Sequence, residues 1–225
     1  MPAFVALVPM RHHSQRIPDK NFRPLAGRPL FHHILDVLLE CPEICQVVVD
    51  TDSQPIMDGL SQNFPTVHIL ERPESLRGDT VSMNDILIYD TSQVEADYFV
   101  QTHATNPLLR PSTISYAIQI MLAHRDQYDS LFSVTRRQVR LWDAKGQAIN
   151  HDPNLLIQTQ DLPPVYEENS CLYIFTRPVL LERHNRLGNQ PFMFVMDPAE
   201  AWDIDEPLDF EIAEFLMQHN ALLKE

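Results

Sequence analysis

Basic residues are scarce in this chain: 17 Lys and Arg stand against 31 Asp and Glu, a formal net charge of −14 over 225 residues. A protein that grips duplex nucleic acid needs surplus Lys and Arg to neutralise phosphates, so this balance argues against a general nucleic-acid binder. It also implies repulsion from anionic membranes. Cysteine is sparse as well. Cys41, Cys45 and Cys171 form too small and too odd a set for a disulfide framework. Cys41 and Cys45 lack the second pair that a four-ligand zinc site needs, and buried thiols are the better reading. No apolar run is long enough to span a bilayer. The opening MPAFVALVPM carries no basic leader, so it reads as a core strand rather than a signal peptide, and the cytoplasm is the expected location.

What is present is the composition of an ordinary globular protein, 44% apolar and 21% charged. The length fits one domain over residues 1–225 with a small insertion. Short apolar runs at 3–8, 46–49, 66–70, 97–101 and 129–134 alternate with helix-period segments after Pro29 and around 54–63, 82–93 and 112–124. Phe31, Ile34, Leu35, Leu38 and Leu39 predict one apolar helix face; Leu208, Ile212, Phe215 and Leu216 predict another near the end. Strands alternating with helices imply an α/β fold, a Rossmann-like and mostly parallel sheet flanked by helices. The pattern breaks over about 136–168, predicting an excursion from the sheet, and resumes at 171–175 and 192–196. In such sheets ligands sit beyond the carboxyl ends of the strands, which directs attention to the loops starting at Pro9, Asp50 and Thr102.

The first of these loops holds Arg11, Arg16, Lys20, Arg23 and Arg28, a strong enrichment in so acidic a chain. Arg offers phosphate a planar fork and Lys a point charge, so a triphosphate cradle is one reading; a solvated loop balancing nearby acids is the other. The run Arg11, Ser14, Ile17, Pro18, Lys20, Asn21, Arg23, Pro24, Leu25, Ala26, Gly27, Pro29, Leu30 resembles the opening loop of the acylneuraminate cytidylyltransferases and, more distantly, of the CMP-Kdo synthetases. The resemblance implies a nucleotidyltransferase fold in which Arg11 and Lys20 contact the phosphates of CTP, Ser14 belongs to the nucleotide site and Asn21 lies near the cytosine. His12 and His13 stand where that family has glycines, and Gln15 where it has lysine.

Later segments agree. Arg72, Pro73, Leu76, Asp79, Ser82 and Asp85 match a second family motif, which implies that Ser82 approaches the cytosine; on its own, Ser82 reads as a helix N-cap. Asp50 and Asp52 close a strand and read as turn and cap residues without a catalytic role. Thr105, Pro107 and Leu108 match a third motif, with His103 where a substrate-side glutamine is usual; imidazole can carry charge near neutral pH. Gln160 to Tyr166, Asn169 and Tyr173 match a region that the family uses for the sugar and for dimer contacts, but the basic residues that often precede it are missing from 154–159. Substrate contacts are thus implied for His103, Thr105, Tyr166 and Asn169. Asp203 and Asp205 flank Ile204 just before the last helix. Alternate residues of an extended segment point the same way, so both carboxylates are expected to face one magnesium ion; helix capping is the alternative.

The resemblance covers about residues 3–218. It implies a homodimer and attack of a keto-sugar acid's hydroxyl on the α-phosphorus of CTP, with pyrophosphate leaving. Arg11, Lys20 and Asp203 would be catalytic, and Asp203 and Asp205 would hold Mg2+. Asp203 or a metal-bound hydroxide would take the proton. The departures at His12, His13, Gln15 and His103 support one alternative, a different acceptor such as another keto-sugar acid, a phosphonate or a small phosphorylated metabolite. A nucleotide-binding homologue without catalysis is a second, against which the retention of Lys20, Asp203 and Asp205 argues, and a sugar-transferring enzyme with an Asp-x-Asp site is a third.

Overall fold

The computed structural model describes residues 2–12, 14, 16–78 and 80–219; His13, Gln15 and Asp79 of the motifs above lie outside them. In chain order the elements are β1 (Phe4–Leu7), β2 (Pro24–Leu25), β3 (Arg28–Pro29), α1 (Leu30–Leu39), β4 (Ile44–Thr51), α2 (Gln54–Asn63), β5 (His68–Glu71), α3 (Met83–Gln93), β6 (Tyr98–Thr102), α4 (Pro111–Ala123), β7 (Ser130–Arg137), β8 (Val165–Phe175), α5 (Arg177–Arg183), β9 (Pro191–Val195) and α6 (Pro207–His219). Seven of the strands form one sheet in the order β5-β4-β1-β6-β8-β7-β9. Every neighbouring pair is parallel except those made by β8, which runs antiparallel to both β6 and β7. The expected α/β architecture is therefore observed.

Strand β1 shows why the sheet needs helices on both faces. Phe4, Ala6 and Val8 point into a core beneath α1, α2 and α4, while Val5 and Leu7 point into a second core beneath α3 and α5. A strand buried on both sides reads as a continuous apolar run, as AFVALV does. Helix α1 buries Leu30, Phe31, Ile34, Leu35 and Leu38. Each such side chain contributes about 1.5–3 kcal/mol relative to exposure. Leu39, expected on the same face, is 44% exposed at the helix end.

Two expectations need correction. The excursion is shorter than 136–168: Arg136 and Arg137 still pair with Tyr166 and Val165 in a β7–β8 ribbon, and the chain leaves the sheet only between them. The buried face of α6 is formed by Phe210 and Ala213; Leu208 and Phe215 are exposed. The difference arises because α6 packs on a small third cluster with Ile17, Leu25, Leu30 and Ile204, rather than on the sheet. Helix α5 had no signal in the periodicity, because it is only seven residues long.

Two local devices matter for position. The β2–β3 ribbon turns through Ala26 and Gly27, both at positive φ (49° and 80°), and the Ala26 N–H donates to Glu214 of α6 at 3.0 Å. This ties the basic loop to the last helix. At the other side, the Asp129 carboxylate before β7 accepts the N–H groups of Asn189 (2.6 Å) and Gln190 (3.1 Å), fixing the approach to β9. Among the described residues no helix is long and apolar enough to cross a membrane.

Candidate active site

Beyond the carboxyl ends of β1, β4 and β6 lies a cleft of about 270 Å³. The chain brings Arg11, Ser14, Lys20, Asn21, His103, Thr105 and Asp205 to its wall, together with Arg16, Arg72 and Arg77. Seven of the residues singled out from sequence thus share one cleft. The rule that ligands bind at the strand ends and the enrichment of base in the first loop point to the same place.

The loop after β1 is held from below. The His12 N–H donates to Asp52 at 2.6 Å, and its Nδ1 lies 2.7 Å from the Ser53 hydroxyl. His12 is thereby an anchor to the end of β4, and Asp52 its acceptor. Ser14 Oγ accepts the Ile17 N–H at 3.4 Å, and the Asn21 amide donates to the Arg11 carbonyl at 3.2 Å. Ile17 is buried against Ile204.

Lys20 is the link to the last motif. Its side chain is 12% exposed, and Nζ donates to the Ile204 carbonyl at 2.7 Å and lies 3.3 Å from Asp205 Oδ1. Arg16 meets the same Asp205 oxygen at 2.6 Å. Helix capping falls to Asp209, whose Oδ2 accepts the N–H groups of Asp205 (2.9 Å) and Glu206 (2.7 Å). Asp203 and Asp205 are therefore free of the capping role.

The two carboxylates stand less simply than alternation predicts. Ile204 is buried, but Asp205 fronts the cleft of Lys20 while Asp203 fronts an adjoining one with Thr135, Asn169 and Trp202. Thr105, on the wall of the first cleft, hydrogen-bonds to Asp203. Residues 202–205 form no regular strand, so the two-residue period does not hold strictly. Burial raises the Asp203 carboxyl above its ordinary value, the Thr105 hydrogen bond opposes this, and the Asp205 charge adds to it. Asp203 Oδ1 is buried with no hydrogen-bond partner among the described residues.

Ser82 caps α3: its Oγ accepts the Asp85 N–H at 3.2 Å and donates to the Asp85 carboxylate at 2.7 Å. Its neighbours Val81 and Met83 line the cleft, and Ser82 itself is exposed. Tyr166 and Asn169 lie away from this cleft. Tyr166 is 43% exposed on the β7–β8 ribbon. The Asn169 side chain is occupied by Ser133, Thr135 and the Cys171 N–H, and it borders the adjoining cleft beside Asp203.

His103 departs most from expectation. Burial first, then the positive charges of Arg186 and Lys20, push its pKa down to about 3. It is neutral at physiological pH, not a titrating cation.

Several residues here were not singled out as site residues. Arg72 lines the cleft while its buried guanidinium donates to the Asp50 carboxylate. Asp90 lies behind Asp50 and is 1% exposed. Gln101 and Arg186 stand behind His103. The sequence signals were modest: a charged residue closing an apolar strand for Asp50, and a polar residue inside one for Gln101.

Residues 5–225 match the family model described as Cytidylyltransferase. The chain is 30% identical over 233 residues to the CMP-N,N'-diacetyllegionaminic acid synthase of Legionella pneumophila, covering 96% of this chain and 97% of that protein. It is 28% identical to N-acylneuraminate cytidylyltransferase A of Danio rerio, over 93% of this chain but 49% of that protein, so it spans about half the length of that relative. Among solved structures, a CMP:2-keto-3-deoxy-manno-octonic acid synthetase complexed with CTP superposes with a TM-score of 0.73 at 18% identity, over 96% of this chain and 99% of that one. A 4-diphosphocytidyl-2C-methyl-D-erythritol synthase follows with a TM-score of 0.67 at 14% identity, over 96% and 100%. These two likenesses concern the fold; the match along almost the whole sequence carries the assignment, and the chain belongs to the cytidylyltransferase family.

Proposed function

We propose that this protein is a cytoplasmic, magnesium-dependent enzyme that transfers CMP from CTP to an acidic acceptor, a nonulosonic (sialic-acid-like) sugar, with release of pyrophosphate. The observation that carries this reading is the convergence of Arg11, Lys20 and Asp205 on one cleft at the sheet's carboxyl edge. The named activities of the Legionella and Danio relatives support the choice of nucleotide and sugar class.

In this reading the acceptor hydroxyl attacks the α-phosphorus as the Asp203 carboxylate takes its proton, and the bond from that phosphorus to the β-phosphate oxygen breaks. Arg11 and Lys20 bind the phosphates and stabilise the charge that builds on pyrophosphate, with Ser14 adding a hydroxyl contact. Asn21 and Ser82 contact the nucleoside. Thr105, His103, Tyr166 and Asn169 orient the sugar, the last two from the adjoining cleft.

Asp203 and Asp205 suit a magnesium ion by chemistry. Both offer hard carboxylate oxygens, and Asp203 Oδ1 has no other partner among the described residues. Two carboxylates are too few for a full protein cage, and among the described residues no group of three ligating side chains assembles. Magnesium is commonly held by one or two carboxylates with substrate phosphates completing the shell, so the pair would hold it only together with CTP. The ion would neutralise phosphate charge there.

A homodimer is part of the proposal. The segment between β7 and β8 exposes Leu141, Trp142, Leu155, Leu156 and Ile157, an apolar surface with a second copy as its proposed cover.

The test is pyrophosphate release, measured with each of CTP, UTP, ATP and GTP against a panel of nonulosonic acids. CTP-specific release with a nonulosonic acid is expected. Equal binding of all four nucleotides by calorimetry would remove the assignment. Release only with a phosphonate or phosphorylated acceptor would favour the second reading, which His103 and the missing basic residues at 154–159 motivate.

A further inference from the structure

Behind His103 a short chain of groups leaves little freedom for protons. Arg186 is packed with its guanidinium 3.5 Å from the centre of the Tyr173 ring, and its Nη1 donates to Gln101 Oε1 at 2.5 Å. A guanidinium has only donors. The Gln101 oxygen must therefore face Arg186. The opposite end of the same amide obeys a second constraint: Nε2 lies 3.1 Å from the Thr102 carbonyl, which can only accept. Both neighbours fix the amide in one orientation, and Gln101 is fully buried.

The remaining hydrogen on Gln101 Nε2 faces His103 Nε2 at 2.9 Å. That ring nitrogen must supply a lone pair. An imidazolium has none, and the tautomer protonated at Nε2 would set hydrogen against hydrogen. His103 is thus neutral with its proton on Nδ1, in agreement with the effect of burial and of Arg186 on the ring. Nδ1 has no hydrogen-bond partner among the described residues, yet it is not sealed from solvent, and His103 lines the cleft.

We propose that Arg186 and Gln101 lock His103 as a neutral Nδ1–H donor, making it a specificity-determining residue that requires a hydrogen-bond-accepting oxygen on the sugar acid at this point of the cleft. Arg186 and Gln101 are positioning residues; neither lines the cleft. The assignment to the sugar rests on the function proposed above, whereas the tautomer does not.

Two measurements test it. Long-range proton–nitrogen correlation on protein labelled with 15N-histidine, with His103 assigned by its loss in His103→Gln, reads the tautomer directly. A protonated Nδ1 and an unprotonated Nε2, unchanged from pH 5 to 8, is the expected result. An Nε2–H tautomer or an imidazolium in the wild-type protein overturns the proposal. Steady-state kinetics on Gln101→Glu form the second arm. A carboxylate offers no hydrogen to Nε2, so the ring proton moves there and the cleft loses its neutral donor. The KM for the sugar acid should rise about tenfold or more while that for CTP stays within about twofold. A rise in the KM for CTP instead, or no change in either, overturns the specificity role. Failure of every sugar acid to turn over in the wild-type protein would sink the proposed function, and the sugar half of this inference with it, while leaving the tautomer to stand or fall on its spectrum. If Gln101→Glu fails to fold, Gln101→Met serves: it removes the hydrogen that faces His103 Nε2, the wild-type spectrum should give way to a mixture of tautomers, and an unchanged spectrum overturns the lock.

Discussion

The carboxyl groups of Asp50 and Asp90 face each other inside the protein, and both are buried. Asp50 Oδ2 and both Asp90 oxygens find no donor hydrogen elsewhere among the described residues. A proton held by Asp90 supplies one. Burial and the neighbouring Asp50 charge push Asp90 up to about 9, so it holds the proton at neutral pH; burial raises Asp50 as well, and the charge and hydrogen bond of Arg72 oppose that rise.

This pair predicts a pH signature. Asp90 releases its proton near its ordinary 3.8 in the unfolded chain but near 9 in the folded one. The folded state therefore binds the extra proton between those values, and stability falls as pH rises through that window. Asp90→Asn keeps a donor toward Asp50 and removes the titration. It should raise the stability read from urea unfolding at pH 8 by on the order of 1 kcal/mol or more, and flatten the dependence between pH 4 and 9. A variant less stable than wild type at pH 8 would refute the shared proton.

Asp203→Asn and Asp205→Asn separate metal chemistry from scaffold. Asp209 holds the start of α6, so neither change should unfold that helix. Turnover should drop roughly 100-fold or more, with a shifted magnesium requirement. Near-normal turnover across a magnesium titration would return both residues to a supporting role.

Gly188 is required by its neighbour. A Cβ built there would lie 2.2 Å from Asp129 Oδ1, the carboxylate that accepts the two following N–H groups. Gly188→Ala should cost about 2 kcal/mol or more and lower Tm by several degrees. Combining it with Asp129→Ala removes the clash, so the two losses should be less than additive.

Leu156 is 96% exposed on the segment between β7 and β8. If a second copy covers that surface, Leu156→Glu should shift light scattering at micromolar concentration from dimer to monomer while leaving the circular dichroism unchanged. A wild-type monomer would defeat the dimer outright.

Periodicity made most of the sheet legible. The helices after Pro29 and around 54–63, 82–93 and 112–124 were legible as well, because apolar side chains facing a core must recur with the backbone. The direction of β8 was not. Most strands joined by helices here are parallel, with β8 and β9 on either side of α5 the exception, but β7 reaches β8 through 138–164, which contain no helix long enough to favour a parallel return. In the cleft, Arg11 and Lys20 stood out because base is rare in this chain. Gln101 and Arg186 did not, and Arg72 was matched by its motif without a role, because each acts through partners distant in sequence: Asp50 for Arg72, and the Gln101–Arg186 contact itself. Even His103, picked out by its motif, misled as to charge, since burial and a remote arginine set its protonation.

The place of β8 also orders events during synthesis. Strands β1, β4, β5 and β6 are complete once residue 102 has emerged, and they are mutual neighbours. The outer edge of β6 accepts β8, which begins only at Val165, and β7 is made first yet has no place in the sheet without β8. A nascent chain between those points carries the strands behind the cleft with the β6 edge of amides and carbonyls still unpaired, the kind of edge on which other chains add. The ribosome must therefore carry that open edge through the whole 138–164 stretch, and a pause there leaves it exposed for longest.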